Sequence, residues 1–145
     1  MSLLARDGQM KDAYWQRLGL PSQGEHLLGL VRLGFPFAVW DHLISVFQLT
    51  SPALRAWLSM SPSTLRRRRQ HGRFNSRESD QLFQIALVLV HASCLFEGDT
   101  GMANGWMDTP QYGLGGRRPK DMLATAVERQ ALLTLIGQVE HGVLS

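Results

Sequence analysis

Two Ser-Pro pairs set ten residues apart, Ser51-Pro52 and Ser61-Pro62, constrain this chain more than any other feature. A serine at the N-cap accepts a hydrogen bond from an otherwise unpaired backbone N–H, and a proline in the first helical turn sacrifices no donor. Each pair therefore predicts a helix start. The first helix has room only for Pro52 to about Leu58. The second runs from Pro62 to about His71 and is closed by Gly72. Between them lies Ser59-Met60-Ser61, a tight turn. Asn75, with Glu78 three residues later, resembles a capping box and opens a third helix reaching about Phe96. Almost nothing in the chain alternates like a strand, so the expected fold class is all-α.

A short helix, a three-residue turn and a second helix are the parts of a helix-turn-helix, whose second helix enters the major groove of DNA. Charge supports that use. Residues 51–80 hold seven arginines, Arg55, Arg66, Arg67, Arg68, Arg69, Arg73 and Arg77, against Glu78 and Asp80. The whole chain of 145 residues is only +3, so everything outside this block is mildly acidic. A localised basic block is the footprint of a polyanion binder. With Leu65 facing the core, Ser63, Arg66, Arg67, Gln70 and His71 point outward, and Thr64 lies to one side. Arginine can bind guanine, and glutamine adenine, with two bonds each. Ser63, near the helix start, suits a phosphate. Arg68 and Arg69 flank the core face and are expected to clamp DNA backbone or to fold onto carboxylates such as Asp80. The bland alternative, a solvated helix pair, loses weight because of the arginines.

The surrounding chain divides into three. Residues 1–34 are an N-terminal arm, of which residues 1–23 read as polar, Gly/Pro-punctuated and loosely held, with a short helix at Lys11–Arg17. His26–Leu33 follows as an amphipathic segment whose apolar side is Leu27, Leu30, Val31 and Leu33. Residues 35–96 carry the helix-turn-helix, preceded by a helical stretch from Phe37 to Leu49. The helix from Asn75 is apolar on nearly every side beyond Leu82, so it must be buried all round, as a central strut or at a dimer interface. A single small reader binds DNA weakly, which favours a homodimer meeting two half-sites, with Leu82–Phe96 as its seam. Residues 97–145 hold a short helix around Thr100–Met107, a Gly-rich turn at Leu114–Pro119, and a final helix from Ala126 to His141. Val127, Ala131, Leu132, Leu135, Ile136 and Val139 share a face of that helix.

Other functions find little support. One cysteine, Cys94, excludes a disulfide framework and a cysteine-based zinc site. The five histidines are scattered, no carboxylate pair stands out for acid–base work, and Leu114-Gly115-Gly116 lacks the strand and lysine of a phosphate-cradling loop. No enzyme activity and no cofactor are expected. The longest apolar run, Ile85–Val90, is too short to span a bilayer, and the first residues hold no signal-peptide core. The expectation is a cytoplasmic protein without membrane contact.

From Phe35 onward the chain resembles the Xre/MbcA/ParS-type antitoxins, the partners of RES-domain toxins. The resemblance rests on Ser63-Thr64-Leu65-Arg66-Arg67-Arg68 followed by Gly72, and on Glu78-Ser79-Asp80-Gln81-Leu82 opening the long helix. It continues in Phe96-Glu97-Gly98-Asp99, Trp106-Met107 and Pro110. The most specific stretch is Leu114-Gly115-Gly116-Arg117-Arg118-Pro119-Lys120-Asp121-Met122-Leu123, with Thr125 after it. Val139-Glu140-His141-Gly142-Val143 ends the match. Two departures are the four consecutive arginines, Arg66 to Arg69, and Glu97 in the turn before Asp99.

The resemblance implies a bipartite antitoxin. Its helix-turn-helix would bind operator double-stranded DNA and repress its own operon, through Arg55, Ser61, Ser63, Thr64, Arg66, Arg67, Arg69 and Gln70. Residues 97–145 would form a toxin-binding domain that covers the active site of an NAD-degrading RES-domain toxin. The residues implied there are Trp106, Met107, Gly115, Gly116, Arg117, Glu140, His141, Gly142, Val143 and Leu144. For Trp106, core packing competes with partner contact. The alternative is a dimeric transcriptional repressor without a toxin partner.

Overall fold

The computed structural model describes residues 3–142, and side chains from residue 7 onward. The described residues form eight α-helices and no strand: α1 (Leu3–Leu18), α2 (Glu25–Leu33), α3 (Ala38–Phe47), α4 (Ser51–Leu58), α5 (Pro62–His71), α6 (Ser76–Cys94), α7 (Thr100–Met107) and α8 (Ala126–Glu140). Two 3-10 turns, Tyr112–Leu114 and Pro119–Met122, lie between α7 and α8. No described helix is long and apolar enough to cross a membrane.

The helix starts follow local chemistry. Ser61 caps α5, its Oγ accepting from the Thr64 N–H at 3.2 Å, and Gly72 closes the helix at φ 85°. Asn75 and Glu78 form a full capping box on α6, at 2.8 and 2.9 Å. At α4 the cap is one residue earlier than expected. Thr50, not Ser51, accepts from the Ala53 N–H at 3.2 Å, and Ser51-Pro52 occupy the first turn. Thr50 carries the same kind of hydroxyl, and proline fits the second helical position as well as the first.

α6 is the strut. Leu82, Phe83, Ile85, Ala86, Val88, Leu89, Val90 and Ala92 are all buried, and α1, α2, α4, α7 and α8 pack around them. It ends at Cys94 rather than Phe96. Most of its apolar surface is used within one chain, while Gln84, Leu87, His91 and Cys94 keep part of their surface in solvent along one face.

The reading of residues 1–23 as a loose arm is also corrected. α1 spans Leu3–Leu18 and buries Tyr14, Trp15 and Leu18. Tyr14 stacks on Phe47 at 5.6 Å and Trp15 on Phe83 at 5.2 Å. Aromatic area of this size outweighs the polar, Gly-punctuated composition that suggested an arm. On α2, Leu33 lies 64% exposed instead of on the apolar side. On α8, Leu132, Leu135 and Ile136 are buried, whereas Val127, Ala131 and Val139 face outward. A shared helical face is wider than the strip that α6 covers.

Between α2 and α3 the chain runs beside the exit of α5. Phe74 donates its N–H to the Phe35 carbonyl at 2.9 Å, Phe37 donates to Gly72, and the Phe35 N–H donates to the buried Ser79 Oγ at 2.7 Å. Gly34 sits at φ 99° against this crossing, where any Cβ would overlap the Phe74 carbonyl oxygen. Phe37, Trp40 and Phe74 cluster beneath it with centroids 5.2 to 6.4 Å apart. The end of α5 is therefore fixed to the core by backbone and aromatic contacts together.

Candidate functional site

α5 contains no buried residue along its ten positions. It is carried by its two ends, with Leu65 half-buried beneath. Its arginines divide in two. Arg68 donates from Nε to Glu78 at 2.7 Å, and this hydrogen bond holds its guanidinium above its ordinary pKa. Arg69 lies 4.5 Å over the Phe37 ring and 3.8 Å from Asp41. Both thus fold back, as their flanking positions predict. The carboxylates are Glu78 and Asp41, however, not Asp80. Arg69, one of the expected DNA contacts, is already turned toward its own fold, although it remains more than half exposed.

The second set faces solvent. Arg66, Gln70, Ser63 and His71 are exposed, and Arg67 donates to the Thr64 hydroxyl at 3.1 Å, which steadies its guanidinium over the first turn. Arg55 is half-buried on α4, and Ser61 is occupied in capping. Arg77, exposed on the first turn of α6, was not among the expected contacts. It shares with Ser59, Thr64, Asn75 and Gln81 an open polar depression of about 350 Å³ beside the turn. Its proximity to α5 comes from the α5–α6 corner, which no periodicity reveals.

The C-terminal residues implied by the resemblance spread over two places. Around the Gly-rich turn, Gly116 donates to the Gln111 carbonyl and Gln111 to the Arg117 carbonyl, both at 3.0 Å. Gly115 and Gly116 take φ 65° and 82°, and Arg117 folds back to donate to the Leu114 carbonyl at 3.2 Å. Within the chain, the close backbone approach is at Gly113, where a Cβ would come 2.7 Å from Leu135 Cδ1 on α8. Asp108 gathers Lys120 at 2.6 Å and Arg118 at 3.3 Å, and the hydrogen bond from Lys120 holds its carboxyl below the usual range. Trp106 is half-buried and tilts on Phe96 at 6.3 Å. Met107 is buried in the core and has no surface to give a partner. The resemblance implies Met107 as a partner contact, but the short helix α7 turns its side chain inward. Sequence reasoning missed Tyr112, fully exposed on the rim of the turn.

At the other place, the end of α8, Glu140 meets Lys11 of α1 at 3.3 Å, and Lys11 also pairs with Asp7 at 2.7 Å. Burial alone would lower the Lys11 pKa. The hydrogen bond to Asp7 and the attraction of Glu140 outweigh it and hold the ammonium above its ordinary value. His141 and Gly142 are exposed beyond. Val143 and Leu144 lie outside the described residues.

The two places and α5 belong to one body. Trp57 on α4 donates from Nε1 to the Lys120 carbonyl at 3.0 Å, and Asn104 on α7 donates to the Phe47 carbonyl at 3.4 Å.

Comparison with known proteins matches this architecture. Residues 26–87 match a family described as the antitoxin Xre-like helix-turn-helix domain. Residues 91–142 match the antitoxin Xre/MbcA/ParS C-terminal toxin-binding domain. Antitoxin Xre of Yersinia enterocolitica is 40% identical over 136 residues, covering 92% of this chain and 91% of that protein. The chain belongs to the Xre antitoxin family. Antitoxin Xre of Photorhabdus laumondii is 34% identical over 134 residues, covering 90% of each. In this Xre-family chain the first match contains the exposed α5 and the second contains the Gly-rich turn and α8.

Proposed function

We propose that the protein is the antitoxin of a toxin–antitoxin pair, with two separable activities. Through α5 it reads operator DNA and represses its own operon. Through the Gly-rich turn and the end of α8 it covers the active site of an NAD-degrading RES-domain toxin. The observation that carries the DNA half is that α5 buries none of its residues while two of its arginines are tied down and Arg66, Arg67 and Gln70 are left outward. A helix that turns only half-buried Leu65 toward the core leaves most of its surface free to read a partner. Family membership and the exposed Tyr112 beside a rigid turn support the toxin half. Aromatic side chains of this kind are enriched among interface hot spots.

The test is co-expression with the product of the adjacent reading frame, together with gel-shift titration on the upstream DNA. Rescue of growth and of cellular NAD⁺, with a specific shift, is the expected result. A shift without any toxic neighbour would leave a repressor alone and overturn the toxin half. Rescue without a shift would overturn the DNA half.

A further inference from the structure

α8 is anchored along its start and middle but not at its end. Arg129, Leu132, Leu135 and Ile136 are buried, and no later residue of the helix is. Residues 137–140 make a weak last turn by their own chemistry. Gly137 has no side chain to pack, and a glycine within a helix loses the most backbone freedom. Val139 is largely solvated. Glu140 sets a negative charge at the helix C-terminus, where the dipole favours a positive one, and the last turn holds no basic residue. Such an end frays unless something outside the helix holds it.

The missing cation comes from α1. Lys11 Nζ lies 3.3 Å from Glu140 Oε1 and 2.7 Å from Asp7 Oδ2, so one ammonium bridges two carboxylates. Asp7 stands one turn before Lys11 on the same helix and steadies it. Lys11, Asp7 and Glu140 keep 22%, 28% and 25% of their side-chain surface in solvent, so the bridge is better shielded than a freely hydrated surface pair. α1 cannot drift with the end of α8, because Tyr14, Trp15 and Leu18 fix it to α3 and α6. Among the described residues, Lys11 is the one side chain of another element that bonds to the last turn of α8. It belongs to neither family match: α1 ends before residue 26, where the first begins, yet it holds the end of the second.

We propose that Lys11 is a positioning residue for toxin binding: it keeps the last turn of α8 formed and so sets the direction in which the chain beyond Gly142 meets the toxin. The proposal rests on the reading of the end of α8 as part of the toxin-binding face. α1 then serves the toxin-binding half, although it precedes the DNA reader in sequence. Gly142, at φ 70°, turns the chain directly after α8. Fraying of residues 137–140 moves that corner, and binding must then supply the entropy of re-forming the turn.

The experiment compares the full chain with Lys11→Met, which keeps the apolar stem and removes the charge, and with Lys11→Arg, which keeps the charge. Two quantities are read at matched Tm. One is hydrogen exchange at the His141 and Gly142 amides, which close the last turn onto the Gly137 and Val139 carbonyls at 3.1 and 3.2 Å. The other is inhibition of NAD⁺ consumption by the purified product of the adjacent reading frame. Lys11→Met is expected to lose the amide protection and to weaken inhibition by about five- to tenfold, with Tm unchanged. Lys11→Arg is expected to restore both, which a merely space-filling role would not require. If Lys11→Met lowers Tm, Asp7→Asn replaces it and should shift both readouts the same way by less. Protection that survives Lys11→Met overturns the proposal. So does lost protection with inhibition unchanged, or a Lys11→Arg chain that behaves like Lys11→Met. A wild type that fails to inhibit overturns the toxin reading and the proposal with it, and that failure is recognised before any substitution is made.

Discussion

His91 sits half-buried on α6, and its surroundings give it a defined pH response. Burial pushes its imidazole below the ordinary value of 6.5. The charge of Lys11 pushes in the same direction, and Asp7 opposes. The folded chain thus binds the His91 proton more weakly than the unfolded chain does. The associated stability is complete above about pH 6.5 and is lost as the pH falls through and below that value. Urea melts should show the midpoint dropping on acidification from neutrality, and His91→Gln should flatten that slope. Cys94, one turn further on, has its thiol pushed up to about 12 by burial, so alkylating reagents should label it slowly at neutral pH. At Gly34, positive φ and the overlap with Phe74 act together, and Gly34→Ala should cost about 3 kcal/mol in a denaturant melt. Much at this scale was legible beforehand. Ser61, Gly72 and the Asn75–Glu78 pair are fixed by chain-local chemistry. The neighbours of Arg69, Met107 and Glu140 were not legible, because Asp41, the core around α7 and Lys11 reach them only through the tertiary fold.

Among the elements, α5 and α6 are joined by one carboxylate. Glu78 accepts both the Asn75 N–H of the capping box and the Arg68 guanidinium. Glu78→Ala removes a cap and the anchor of α5 together. A stability loss of about 1–2 kcal/mol is expected, with weaker DNA binding although the residue lies off the reading surface. Arg66→Ala and Arg67→Ala act differently. They should leave Tm unchanged and lower the salt dependence of DNA binding, each lost phosphate contact reducing the log–log slope by about 0.9. An unchanged slope in salt-titrated gel shifts would show that neither arginine meets a phosphate. The existence of α5, the turn before it and the long α6 could be read from sequence because caps and apolar periodicity are local signals. α1 could not, since its burial depends on Tyr14 and Trp15 finding Phe47 and Phe83 far along the chain.

At the scale of the molecule, the parts do not separate. Leu132, Leu135 and Ile136 of α8 lie buried on α6, and Trp57 reaches the Lys120 carbonyl from the other side. Truncation after Leu123 should therefore expose the apolar flank of α6 and give an aggregating chain, read by size exclusion and loss of a cooperative melt, not a soluble reader lacking one activity. Tyr112→Ala is the cleaner probe. It should leave Tm in place and weaken toxin neutralisation by roughly thirtyfold, about 2 kcal/mol, if this ring is an interface anchor.

Because α1, α2, α4, α7 and α8 all pack on α6, a cut within it is expected to release both halves together, so limited proteolysis should consume the full chain without a long-lived intermediate fragment.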